Sequence, residues 1–114
     1  MKKVSFVLPV LFIVFLGFSA TAQKVFSCKY AYEADVKVFV TKYEYQADLK
    51  VYKVAYDYQA SENEGKWYFV EHSYQADKKI YFCQYEYNAG LLIYFVEYSY
   101  QAGWRKKEKM HLMF

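Results

Sequence analysis

The sequence is short of nearly everything on which catalysis or metal binding is usually built. It has two histidines (His72 and His111), two cysteines (Cys28 and Cys83), four glycines and one proline among 114 residues. Neither histidine has neighbours at zinc-ligand spacing. The cysteines form no C-x-x-C pair and have no base beside them in sequence. So few glycines leave no phosphate-cradling loop, and Ser61, Ser73 and Ser99 lack a nucleophile-elbow context. No catalytic residue, metal ligand or cofactor is therefore expected.

Charge of one sign is also scarce. The chain carries 15 basic and 12 acidic residues, and two of the basic ones are Lys2 and Lys3. These open a segment that is apolar from Val4 to Phe18 apart from Ser5, Pro9 and Gly17, and that ends in Ala20-Thr21-Ala22. A charged start, an apolar stretch and a small-residue site describe a secretory leader of bacterial type, residues 1–22. A membrane anchor is the competing reading, but the run falls short of the ~20 residues a span needs and no basic flank follows it. Removal of the leader leaves 23–114 as a single domain with 13 basic against 12 acidic residues. That balance argues against nucleic acid as a partner, since such binding needs a concentrated positive field. The one basic cluster, Arg105, Lys106, Lys107 and Lys109, reads as a solvated tail.

What the chain has in excess is tyrosine, 15 residues, all in register with an internal repeat. Tyrosines at 32, 45, 58, 74, 87 and 100 recur every 13 residues, except for a step of 16 between Tyr58 and Tyr74. The extra residues lie in Ser61-Glu62-Asn63-Glu64-Gly65. Six units fill 25 to 103, and a period this regular sets the architecture. Within a unit the alternation has period 2, which predicts a strand. Tyr52, Val54, Tyr56 and Tyr58 share one face, and Val51, Lys53, Ala55 and Asp57 the other. The column Val25, Val38, Val51, Trp67, Ile80 and Ile93 is wholly apolar, so the strand is apolar on both faces at its start and one-sided towards its end, as when a strand enters a core and emerges at a rim. The Gln-Ala-Asp and Asn-Ala-Gly segments are expected to turn the chain. A stack of tyrosines would then enlarge a modest core, with His72 standing in for one of them.

The default spatial order is an antiparallel meander or small barrel, because sequential strands usually pair. Two columns favour interleaving instead. Cys28 and Cys83 occupy the same position in units one and five, which suits a disulfide in an exported protein. One column carries Lys29 and Lys42 early but Glu71, Gln84 and Glu97 late, as cross-strand charge pairs would. Both place units one and two beside units four to six.

The phrases Tyr-x-Tyr-Gln-Ala-Asp, apolar-Lys-Val-Tyr, Gly-Lys-Trp-Tyr-Phe-Val and Gln-Ala-Gly-Trp-Arg-Lys resemble a family of small bacterial β-repeat proteins in which a seven-crossing torus knot, the septoil knot, occurs. The resemblance covers Lys24 to about Met113. It implies an all-β closed domain, interleaved and knotted, in which the chain passes twice around a ring. It implies no activity and no site residues.

The expected role is a non-enzymatic structural or binding module at the cell envelope, secreted or periplasmic. Carbohydrate or cell-wall binding through aromatic side chains is the specific alternative, with Trp67, Trp104, Tyr32, Tyr45, Tyr58, Tyr74, Tyr87 and Tyr100 as candidate contacts. Self-association through an open strand edge is a second kind of partnership. A hydrolase built on Glu71, Glu86 and Glu97 is the remaining enzyme reading, weakened because Lys, Gln or Ser fill the equivalent positions of other units. The insert Ser61 to Lys66 reads either as a functional loop or as an inexpensive polar excursion.

Overall fold

A computed structural model describes residues 23–60 and 63–114; the leader sequence lies outside the described residues, as do Ser61 and Glu62. Six short strands form, one per repeat: β1 (Lys24–Ser27), β2 (Val36–Val40), β3 (Leu49–Lys53), β4 (Lys66–Phe69), β5 (Lys78–Phe82) and β6 (Leu91–Phe95). A two-residue β7 (Gly103–Trp104) and a 3-10 helix, Lys107–Met113, end the chain. Valine, isoleucine and aromatic residues dominate the strands, as half-buried pleated surfaces favour.

The ring order is β4, β1, β5, β2, β6, β3, with β3 pairing back to β4, and all six ring pairings are parallel. The antiparallel meander is thus replaced by a closed parallel barrel in which consecutive units do not adjoin, apart from β3 and β4. β7 adds antiparallel to the start of β3.

Parallel strands ordinarily need a long crossover to return the chain to its starting level. Here the register removes that need. Each strand pairs with one neighbour through its first residues and with the other through its last. Ser27 and Val36 both pair with Ile80, and Val40 and Leu49 both pair with Ile93. Phe82 and Leu91 likewise share Val38, and Phe69 and Lys78 share Val25. The end of one strand is therefore level with the start of the next in sequence, two ring places on, and a short link crossing one intervening strand suffices.

A step of two places in a six-place ring returns to its origin after three strands. The link between β3 and β4 advances by one place instead, so that β4, β5 and β6 fall between the strands of the first pass. That link holds the insert, which is where the 13-residue period breaks. Gly65 lies in it at φ +87°, where a Cβ would collide with the Lys50 carbonyl oxygen, so only glycine fits.

The apolar column is the barrel axis. Val25, Val38, Val51, Trp67, Ile80 and Ile93 are all fully buried, with Val36, Leu49 and Leu91 packed below them. At the strands' far ends, Phe69 and Phe82 stack at 6.4 Å and Lys53 places its ammonium 4.5 Å from the Phe95 ring centre, closing that mouth.

The basic tail plugs the opposite mouth rather than trailing in solvent. Met113 is buried in the core, and its carbonyl accepts a hydrogen bond from Gln23 Nε2 at 3.1 Å. Asp48, fully buried, accepts from the Leu92 backbone N–H at 2.9 Å and from Lys109 Nζ at 3.0 Å, with Lys106 Nζ 3.7 Å away. Arg105 donates to the carbonyls of Tyr45 and Ala47 at 2.7 and 3.0 Å. The insert belongs to the same anchor. Asn63 Nδ2 donates to the Met110 carbonyl at 2.8 Å, while Asn63 O and Oδ1 accept from Trp104 Nε1. The described part of the insert, Asn63 onward, is tied to the tail rather than free.

Chemical denaturation distinguishes these layers. Ile80→Ala should lose about 3 kcal/mol through the cavity it leaves. Asp48→Ala should lose about 2 kcal/mol by stranding the Leu92 N–H, the lysines being partly solvated, and should speed amide exchange selectively over Lys107–Met113. Uniform exchange in the Asp48 variant would refute the latch.

Candidate functional site

The second half of each unit departs from the expected strand. The tyrosine pairs lie where the chain leaves the sheet and enters one turn of 3-10 helix: turn 1 (Ala31–Glu33), turn 2 (Glu44–Gln46), turn 3 (Asp57–Gln59), turn 4 (Ser73–Gln75), turn 5 (Glu86–Asn88) and turn 6 (Ser99–Gln101). The Tyr-x-Tyr alternation mimics strand periodicity, but in five of the six units the residue after the second tyrosine braces the turn. Its side chain folds back onto the backbone N–H of the first aromatic. Gln46 accepts from Tyr43 at 3.3 Å, Gln59 from Tyr56 at 2.9 Å, Gln75 from His72 at 3.2 Å and Gln101 from Tyr98 at 3.1 Å. Glu33 does the same for Tyr30 at 3.4 Å. The conserved-looking glutamine of the repeat is thus a helix cap of the capping-box kind.

The following alanine is extended, and the next residue ties the link to the barrel. Asp35 exchanges two bonds with Lys79, its backbone N–H donating to the Lys79 carbonyl and its carboxylate accepting from the Lys79 N–H at 2.9 Å. Asp48 treats Leu92, and Asp77 treats Lys24, in the same way.

Each turn rests on a different strand: turn 1 on β5, turn 2 on β6, turn 3 on β4, turn 4 on β1, turn 5 on β2 and turn 6 on β3. A girdle of six aromatic pairs results. The rings stack nearly parallel, 5.4 Å apart at the closest (His72 with Tyr74) and 5.7 Å at the widest. His72 takes a tyrosine's place in the stack, as its column suggested. The expectation that this stack enlarges the core fails: Tyr32, Tyr74 and Tyr100 are each 81% exposed, and Tyr45, the least exposed outer ring, 69%. Lys29 and Lys42 sit 5.6 Å from the ring centres of Tyr30 and Tyr43.

Between neighbouring turns run open grooves. One of about 600 Å³ lies between turns 1 and 4, lined by Phe26, Lys29, Tyr30, Tyr32, Ser73 and Lys79 among others. One of about 520 Å³ between turns 3 and 4 includes Lys24, Asp57, Tyr68, Glu71 and Gln75. A third, about 410 Å³, between turns 3 and 6 has Tyr52, Tyr58, Gln59, Lys66 and Ser99. Grooves of this size with aromatic walls and scattered polar groups suit small polar ligands. Lysine stands directly before the apolar column in five units, Lys24, Lys37, Lys50, Lys66 and Lys79, a column visible in the sequence, and Lys24, Lys66 and Lys79 line the grooves.

Other candidate residues are placed elsewhere. Trp67 is fully buried on the barrel axis, which removes it as a ligand contact, while Trp104 is half-buried against the core with its N–H held by Asn63. Glu71, Glu86 and Glu97 belong to the links over β1, β2 and β3, alternate ring places, and share no cleft. Lys29 and Lys42 form no ion pair with Glu71 or Glu97; the described ion pairs are those of Asp48. The units interleave, but backbone register rather than those charges aligns them.

Cys28 and Cys83 are free thiols. The pairing of Ser27 with Ile80 sets Cys28 level with Tyr81, so Cys83 stands two residues further along the adjacent strand. Two strand residues combined with one interstrand spacing separate the Cα atoms by about 8 Å, too far for a disulfide. The stagger that closes the ring keeps the thiols apart. Burial pushes both thiols above their ordinary pKa; Glu33 adds to this at Cys28 while Lys79 opposes it, and Lys37 opposes it at Cys83. Among the described residues no group of three His, Cys, Asp or Glu side chains could hold a metal ion. No described helix is long and apolar enough to cross a membrane.

Two expectations test this geometry. In turn 5, Asn88 is one methylene too short and leaves the Tyr85 N–H without the bond seen in the other units. Asn88→Gln should stabilise the protein by about 0.5 kcal/mol in urea titrations, whereas no gain would mean that the cap adds nothing. Both cysteines should titrate as thiols in the unreduced, unfolded chain. In the native protein they should alkylate more slowly near the ordinary thiol pKa of about 8.5, the difference shrinking as pH rises beyond it. Absence of titratable thiol would establish a disulfide.

Among known protein families, the 7(1) septoil knot domain matches residues 22–105. Searches of curated proteins and of solved structures give no match.

Proposed function

Given that the chain belongs to the septoil knot domain family, we propose that it is a knotted, exported, non-enzymatic module of the bacterial cell envelope that binds polysaccharide through its tyrosine girdle. The knotted path is supported by the ring order: consecutive strands stand two places apart, and the second pass runs between the strands of the first beneath links that cross outside them. Export is supported by the leader pattern, and by a family match that starts at residue 22, where that pattern ends. Secreted or periplasmic placement follows from it.

The observation that carries the binding reading is the exposure of six stacked aromatic platforms on a fold that does not depend on them for its core. An outer tyrosine contributes little beyond stacking on its partner, about 1 kcal/mol at most. Its free face is flat and apolar, and the groove beside it offers lysine, glutamine, serine and carboxylate groups. A sugar ring has the complementary form, an apolar C–H face bordered by hydroxyls. The platforms are separate and individually small, unlike the contiguous surface of a stable protein interface. The non-enzymatic reading is supported by the dispersal of the carboxylates over the ring.

Affinity electrophoresis through hydroxyethyl cellulose, arabinoxylan, alginate and soluble peptidoglycan strands, backed by a broad glycan array, tests the reading. Retardation by at least one polymer is expected, weakened severalfold by Tyr32→Ser with Tyr74→Ser, which removes the outer rings of turns 1 and 4 on either side of one groove. Silence across every glycan would remove it. Concentration-dependent oligomers in light scattering, lost in the same variant, would reassign the girdle to self-association.

A further inference from the structure

The placement of the platforms around the ring bears on what kind of partner would engage them, and it rests on the polysaccharide reading above. Turns follow the ring in the order 4, 1, 5, 2, 6, 3, one on the outer side of each strand of a closed barrel. Turn 4 on β1 and turn 2 on β6 are three places apart, so their tyrosines face opposite ways. The same holds for turns 1 and 6, and for turns 5 and 3.

A polymer strand lying in one groove is flanked by the tyrosine-bearing turns that form its walls. To reach the next groove it must cross such a ridge, whose outer ring stands well clear of the surface, 69% to 81% exposed for the six outer tyrosines. Wrapping the girdle would require repeated crossings and sharp bending. A groove instead leads the strand past the barrel, leaving the far side of the ring unoccupied.

We infer that the protein is a cross-linker, binding two or more separate polysaccharide strands at once, each in its own groove between tyrosine-bearing turns. The partner is then a network of glycan chains rather than a single chain or a free oligosaccharide. A rigid hub with several weak, outward-facing sites gains little from one linear ligand but joins many. The closed parallel ring suits this role because strands pulled apart load interstrand pairing around the whole circumference, with no free edge in the ring from which to peel.

The test mixes full-length processed protein with each polysaccharide that retards it and follows turbidity against polymer concentration. Turbidity should rise, peak near equivalence and fall in polymer excess, while short oligosaccharides of the same sugar bind without clouding and clear a preformed precipitate. A variant carrying Tyr32→Ser, Tyr45→Ser, Tyr74→Ser and Tyr87→Ser keeps Tyr58 and Tyr100, hence the groove between turns 3 and 6. Once circular dichroism shows it folded, it should still be retarded in gels but produce no turbidity. Should it fail to fold, the equivalence peak of the unsubstituted protein decides alone. Retardation without turbidity at any ratio would overturn cross-linking and leave polysaccharide binding standing. Turbidity undiminished in a folded four-site variant, or present without polymer, would also overturn it, the clouding then arising from association of the protein with itself. Absence of retardation by every polymer would remove both readings together.

Discussion

The two-residue offset between successive strands of the ring is the constraint on which the rest of the molecule depends. It lets a strand of four or five residues bond to two partners, one through each half. It also sets the end of each strand level with the start of the strand two places on, as Ser27 and Val36 show by sharing Ile80. A link of only a few residues can then join parallel strands, and the only space for it is outside the intervening strand. Closed parallel barrels are normally covered by helices; here the links themselves are the cover.

The form of each link follows from a few side chains. Glutamine caps the 3-10 turn, alanine lets the chain leave it, and aspartate fastens it to the strand beneath. With the backbone bonds so arranged, the two aromatics of the turn have nowhere to go but outward, and they stack on each other in the absence of a core to enter. The division of labour is sharp: the axis is aliphatic apart from Trp67, while tyrosine has been moved to the surface, where its removal leaves no cavity. That separation is why the girdle reads as a binding surface and not as part of the frame.

A six-place ring traversed in steps of two cannot be filled without one irregular step, and the insert between β3 and β4 provides it. Gly65 allows the chain to pass close to Lys50, and Asn63 holds both Trp104 and the carbonyl of Met110. The same place that shifts the winding therefore also anchors the segment that plugs the barrel. Arg105, Lys106 and Lys109 complete the closure around Asp48, a buried carboxylate whose charge is matched by the tail.

The sequence by itself determined the repeat, the all-β class and a wholly apolar six-residue column, because each is written as a periodic choice between apolar and polar side chains. His72 in the aromatic stack was legible for the same reason. The interleaving of early with late units was legible only through the family resemblance, since the cysteine and charge columns that suggested it form no pairs among the described residues. Parallel direction, the two-residue offset and the outward turn of the tyrosines were decided by the tertiary structure. Alternation has the same period in either strand direction, and Tyr-x-Tyr alternates as a strand does even where the chain enters a 3-10 turn. The free cysteines show the difference most plainly. Equal column positions made Cys28 and Cys83 look like partners, but columns record places within a unit, and only the register of β1 against β5 fixes how far apart equal places stand in space.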